Sequence, residues 1–133
     1  MELIINDKQY NFRFGVGFLK DIQGRYKETS GNLTVQIPAG FKYQLAGMLD
    51  GDITALADIL LTANKTETKR ITPSELYGYL DDENTDIDAL VSEVVDFLSK
   101  ANACRSLTNQ VLKGIEKAKE EAKRYEEMKA AKN

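Results

Sequence analysis

The sequence predicts an α+β fold: an N-terminal β-hairpin, with a third short strand as a candidate, packed on about five helices and followed by a charged helical extension. Three stretches carry that prediction. Tyr10, Phe12 and Phe14 alternate with Gln9, Asn11 and Arg13, just after Leu3, Ile4, Ile5 and the pair Asn6-Asp7. Period-two alternation beside a short Asn/Asp turn is a hairpin signal. Residues 86–103 (DIDALVSEVVDFLSKANA) place Ile87, Leu90, Val91, Val94, Leu98 and Ala101 at spacings of three and four, with Val95 and Phe97 widening the stripe. After Ile115 the chain reads EKAKEEAKRYEEMKAAKN, where Tyr125 and Met128 are the only large apolar residues.

Each element has its own local reason. A hairpin alone is marginal in water, so the aromatic face of residues 10–14 must be covered. Gly15-Val16-Gly17 ends the second strand, and Phe18, Leu19, Ile22 and Tyr26 then fall on one helical face. Two glycines without a third, and without a later acidic residue on a βαβ unit, make a weak phosphate cradle. They read instead as a strand-to-helix joint that needs unusual backbone angles. Residues 27–32 (KETSGN) read as a polar loop. Leu33, Val35 and Ile37 alternate with Thr34 and Gln36 before Pro38, a short strand suited to the edge of the hairpin's sheet. Phe41, Leu45, Met48 and Leu49 form a helical stripe, weakened at Gly47 by up to about 1 kcal/mol relative to Ala and ended by Asp50-Gly51. Asp52 is the candidate N-cap of a helix carrying Ile53, Leu56, Ala57 and Leu60. Residues 64–70 (NKTETKR) read as a solvated loop with a basic bias. Thr72-Pro73-Ser74-Glu75 is a capping box with proline at the first helical position, opening a short helix with Leu76, Tyr77 and Leu80. In residues 86–103, Asp86 and Asp88 sit at the positive end of the helix dipole and Lys100 at the negative end. Earlier segments are shorter and less continuously apolar, so this helix is the expected centre of the core. Ser106 or Thr108 caps a last helix, or one helix bends through; Leu107, Val111, Leu112 and Ile115 reach a core. Charged pairs at helical spacing, such as Glu126 with Lys129, suit a solvated end. The expected division is a domain over residues 1–115 and a charged extension, helical or disordered, over 116–133.

Composition narrows the function. A chain of 133 residues suits one domain that buries roughly two-thirds of its unfolded surface. No apolar run approaches the roughly 20 residues of a membrane span, and MELIINDKQY lacks the basic-then-apolar pattern of a signal peptide. The single Cys104 forms no internal disulfide and fits a reducing compartment. The chain has no histidine, which removes a triad or a His-bearing zinc site, and no Walker loop. A net charge of -3 argues against nucleic acid as a partner. Asp82, Asn84, Asp86 and Glu93 fit positions of a calcium loop, but Ile87 stands where that loop turns on glycine. The stretch reads as a turn and an acidic helix start. The expectation is a binding protein: not an enzyme, with no catalytic residue, cofactor or metal.

A resemblance adds to that reading. ELIINDKQYNFRFGVGFLKDI resembles the start of the tail assembly chaperones of long-tailed, siphovirus-type phages and prophages of Gram-positive bacteria, which begin roughly ING-x-x-Y-x-F-x-FG-x-GFL. LDGDITALADILLTAN, ITPSELYGYLDDE and DIDALVSEVVDFLSKANA follow in the family's order, so the resemblance spans about residues 1–112. Asn6-Asp7 departs from the Asn-Gly that the family often has. The resemblance implies a chaperone of the host cell cytoplasm, absent from the finished particle. It implies binding and solubilising of the tape measure protein and recruitment of tail tube subunits, with self-association open. In many such phages it also implies a longer fusion form made by frameshifting. The alternative is a structural tail or connector protein retained in the virion. Phe18, Leu19, Tyr77 and Tyr79 are the candidate partner contacts wherever they prove exposed, and packing residues otherwise.

Overall fold

The computed structural model describes residues 1–24, 27–30, 33–36 and 40–131. The α+β architecture stands. The elements run β1 (Glu2–Ile5), β2 (Lys8–Asn11), α1 (Val16–Gln23), β3 (Lys27–Ser30), β4 (Leu33–Gln36), α2 (Gly40–Leu49), α3 (Ile53–Asn64), α4 (Pro73–Asp81), α5 (Ile87–Lys100) and α6 (Arg105–Ala131).

β1 and β2 pair antiparallel, with Leu3 opposite Tyr10 and Ile5 opposite Lys8. Asn6 and Asp7 both have positive φ, 53° and 62°. Left-handed geometry at both central residues is the turn that matches the twist of flanking strands, and Asn and Asp tolerate it. Leu3, Ile5, Tyr10, Phe12 and Phe14 are buried, while Ile4 points to solvent. The covered face meets an aromatic ladder. Phe14 packs edge-to-face on Phe18 at 5.2 Å, and Phe18 on Phe41 at 6.1 Å.

Four expectations are corrected here. The Gly15–Gly17 joint needs no unusual backbone: Gly15 is extended at φ -97°, and among the described glycines only Gly51 has positive φ. Tyr26, expected on the α1 face, lies outside the described residues. Residues 27–30 are a strand and not a loop. They pair antiparallel with Leu33–Gln36 as a second two-stranded sheet, so residues 33–36 do not edge the first hairpin. Ser30 lies opposite Leu33. Ile37 lies outside the described residues. The third correction concerns the centre. α5 buries Leu90, Val94 and Leu98 of its 14 residues, whereas α3 buries eight of 12: Ala55, Leu56, Ala57, Ile59, Leu60, Thr62, Ala63 and Asn64. α3 touches α1, α2 and α4 and has the largest buried share of the described helices, which makes it the central one. A one-sided stripe such as that of α5 marks a helix lying on a core, while a helix apolar on most sides is enclosed by one. Fourth, α6 begins at Arg105, which places Ser106 and Thr108 inside it and not at its cap.

The caps explain where the central helices start and stop. Gly51, at φ 96°, ends α2 in the left-handed region. Asp52 then caps α3, accepting from Thr54 N at 2.9 Å and Ala55 N at 3.4 Å. Asp86 caps α5 through Ala89 N at 3.0 Å. Thr72 accepts from Glu75 N at 3.1 Å, with Pro73 at the first helical position of α4. Leu107, Val111, Leu112 and Ile115 of α6 are half-buried, and every described residue after Ile115 is exposed.

Candidate partner-binding surface

α4 is short, and its two sides differ. Leu76 and Leu80, four apart, face the core; Leu76 is sealed, while Leu80 keeps 6% of its surface at the edge of the helix. Tyr77, one position on from Leu76, turns outward and is 48% exposed. Tyr79 is half-buried against the core, and its hydroxyl is held above the ordinary tyrosine value by that burial and, secondarily, by Glu93. Phe18 is buried at the centre of the aromatic ladder, and Leu19 is half-buried against the core. Of the four candidates only Tyr77 meets the condition of clear exposure. The structure does not bring the four together.

Tyr77 overhangs a groove between α3 and α4. Ile53, Thr54, Ala57, Asp58, Tyr77, Leu80 and Asp81 line it, around a volume of about 290 Å³. Ile53 is 41% exposed, although its spacing with Leu56, Ala57 and Leu60 had placed it on the core face. Periodicity finds the stripe but not its edge, and Ile53 is that edge. Asp81 is legible only as part of an acidic turn. A wider groove of about 920 Å³ lies between α2 and α6, lined by Ala46, Gly47, Leu49 and Asp50 on one side and Leu112, Ile115, Glu116 and Lys119 on the other.

The ionisable groups with shifted behaviour serve the fold. Tyr10 donates to Glu75 Oε2 at 2.8 Å, joining the hairpin to the start of α4. Glu75 Oε1 also accepts from the Thr72 hydroxyl at 3.2 Å. The Tyr10 hydrogen bond holds the Glu75 carboxyl below its ordinary value, and the same bond raises Tyr10. Asp52 is lowered first by the hydroxyl of Thr54, then by its backbone N–H. Cys104 is buried, its thiol pushed up to about 11 by desolvation and aimed at the Phe14 carbonyl at 3.7 Å. A thiol in that state is protonated at neutral pH and inert. In the acidic stretch, Asp82 accepts from Asn84 N at 2.9 Å and Asp86 is engaged at its cap. Among the described residues no three His, Cys, Asp or Glu side chains are grouped to hold a metal. No helix among them is long and apolar enough to cross a membrane.

A surface of grooves, with Asp52, Glu75 and Asp86 committed to caps and ties, suits binding. A family model described as phage tail assembly chaperone protein, TAC, matches residues 2–113. No curated protein and no solved structure gives a match. The matched span takes in both hairpins, α1 to α5 and the packed beginning of α6. Proteins of this family are generally non-enzymatic, and their partners are phage tail proteins. The chain belongs to the phage tail assembly chaperone family.

Proposed function

We propose that this chain binds the tape measure protein in the host cytoplasm, keeps it soluble, helps recruit tail tube subunits to it, and is left out of the finished particle. The observation that carries this is the family match over residues 2–113. The physics agrees. An extended helical client with a long apolar stripe needs that stripe covered before the tube encloses it. Many copies of a small domain do so through weak repeated contacts, which add up by effective concentration. Residues 1–115 act as the chaperone domain. Residues 116–133 act as its extension, supported by the exposure of every described residue there. Tyr77 is the favoured partner contact.

Co-expression with the tape measure protein of the same phage tests the reading. The two should co-purify from the soluble fraction, and purified particles should lack this chain. Failure to co-purify would reject the client, and presence in washed particles at stoichiometric level would reject the transient role.

A further inference from the structure

Given the tape-measure reading, on which this step rests, we infer that the α3–α4 groove is the docking site of the client, and that it takes a helical segment whose apolar anchors are flanked by Lys or Arg one turn away. A furrow between two helices is where an amphipathic helix lays its apolar face. Ile53, Ala57 and Leu80 form the apolar lining, and Tyr77 supplies an exposed aromatic wall. The groove's volume of about 290 Å³ admits roughly two large side chains, since a cavity of ~150 Å³ holds one benzene-sized group. Anchors at i and i+3 or i+4 of one helix meet that spacing.

The chemistry of the rim selects the partner. Asp58 and Asp81 line the groove, and no Lys or Arg does. Asp82 and Glu83 follow Asp81 directly and are exposed. α4 carries no basic residue in its last turn; the Thr85 hydroxyl donates to the Tyr79 carbonyl at 2.7 Å, but no cationic side chain of α4 itself offsets the negative end of its dipole. Asp58 accepts from Gln44 Nε2 at 3.4 Å and Asp82 from Asn84 N at 2.9 Å, so the selecting charge is chiefly that of Asp81, which is exposed and lines the groove. An acidic rim over an apolar lining favours a cationic amphipathic helix over a neutral or acidic one. The wider α2–α6 groove carries both signs at its rim, Asp50 and Glu116 against Lys119, and makes no such choice.

The test co-expresses the tape measure protein with the full chain as parent, as Tyr77→Ser, as Asp81→Lys, and as Tyr125→Ser, a control far along α6. Capture is measured at low and high salt, and each variant's melting temperature is recorded. Tyr77, Asp81 and Tyr125 are exposed, so the variants should melt close to the parent. Parent and Tyr125→Ser should capture the client equally. Tyr77→Ser should weaken capture at least about tenfold, as loss of an aromatic anchor does. Asp81→Lys should also weaken it, and salt should weaken the parent more than Asp81→Lys. A parent that fails to capture the client overturns the tape-measure reading itself. A parent that captures it, with Tyr77→Ser and Asp81→Lys equally tight, leaves that reading standing and overturns the groove assignment. Loss in Tyr77→Ser alone, with no salt effect, overturns the cationic requirement. Intact capture combined with lost tube-subunit recruitment, or with an altered oligomeric state, gives the groove to another occupant and overturns the inference.

Discussion

Three hydrogen bonds meet at the buried side chain of Asn64, the last residue of α3. Its Nδ2 donates to the carbonyls of Asn11 at 2.9 Å and Lys69 at 3.0 Å, and its Oδ1 accepts from Ile71 N at 2.8 Å. One amide thereby ties the exit of β2 and the loop before α4 to the central helix. Replacing it leaves backbone groups beside a buried side chain without their partner, at about 1–3 kcal/mol each. Asn64→Ala should therefore lower the melting temperature by roughly 10 °C or more, read by circular dichroism. A drop of only a degree or two would mean that water or rearrangement replaces the tie. Nothing local marks Asn64, which reads as the first residue of a polar loop. Its partners are set by tertiary contact. Glu75 is similar: its capping role is legible, while its bond to Tyr10, 65 residues away, is not. That bond has a pH signature. The carboxyl is depressed in the folded state, so the stability it contributes is present above the unfolded value near 4.5 and is lost as pH falls through the folded value. Asp52 contributes in the same direction, from its own ordinary value of 3.8 downward. Acid titration of thermal stability should show a shallower loss below pH 4.5 in Glu75→Gln than in the parent. Parallel acid limbs would show that the Tyr10 bond does not distinguish the charge state of Glu75.

At the level of elements, the first hairpin, α2 to α5 and the caps at Asp52, Thr72 and Asp86 follow from alternation, stripe spacing and cap chemistry that neighbouring residues fix. The ranking of helices does not. α5 has the cleaner amphipathic pattern because one of its sides faces solvent, and the clean pattern drew it to the centre of the sequence reading. α3 is less patterned because water reaches less of it. Native-state hydrogen exchange separates the two directly. Amides of α3 should exchange only through global unfolding, those of α5 sooner, and those of α6 after Ile115 soonest. Equal protection along α3 and α5 would restore α5 to the centre. Val94 is nonetheless fully buried on α5, so Val94→Asp, which sets an unpaired charge in the core, should unfold the protein. A variant melting within a few degrees of the parent would contradict that placement. The second hairpin was half legible. Its second strand shows alternation, but its first is polar throughout, KETS, and strands without an apolar face leave no periodic trace.

At the scale of the whole molecule, a packed body carries a helix that outruns it. Every described residue of α6 after Ile115 is exposed, and the large apolar residues there, Tyr125 and Met128, are too few to hold a core. Removing residues 116–133 should cost less than about 1 kcal/mol, a shift of no more than a few degrees in melting temperature. A larger fall would place the extension within the folded unit. The body offers grooves to its partners, and of their lining only Tyr77 is legible in the sequence as a partner contact, since a groove exists between helices and not along one. The chaperone role requires a client made soluble by contact. The direct measurement is the soluble fraction of the tape measure protein as this chain is induced in increasing amounts beside it. The soluble fraction should be low without the chain and should rise until the chain is in molar excess, as expected when many copies cover one long helix. A tape measure protein equally soluble at every level of the chain would rule out that role.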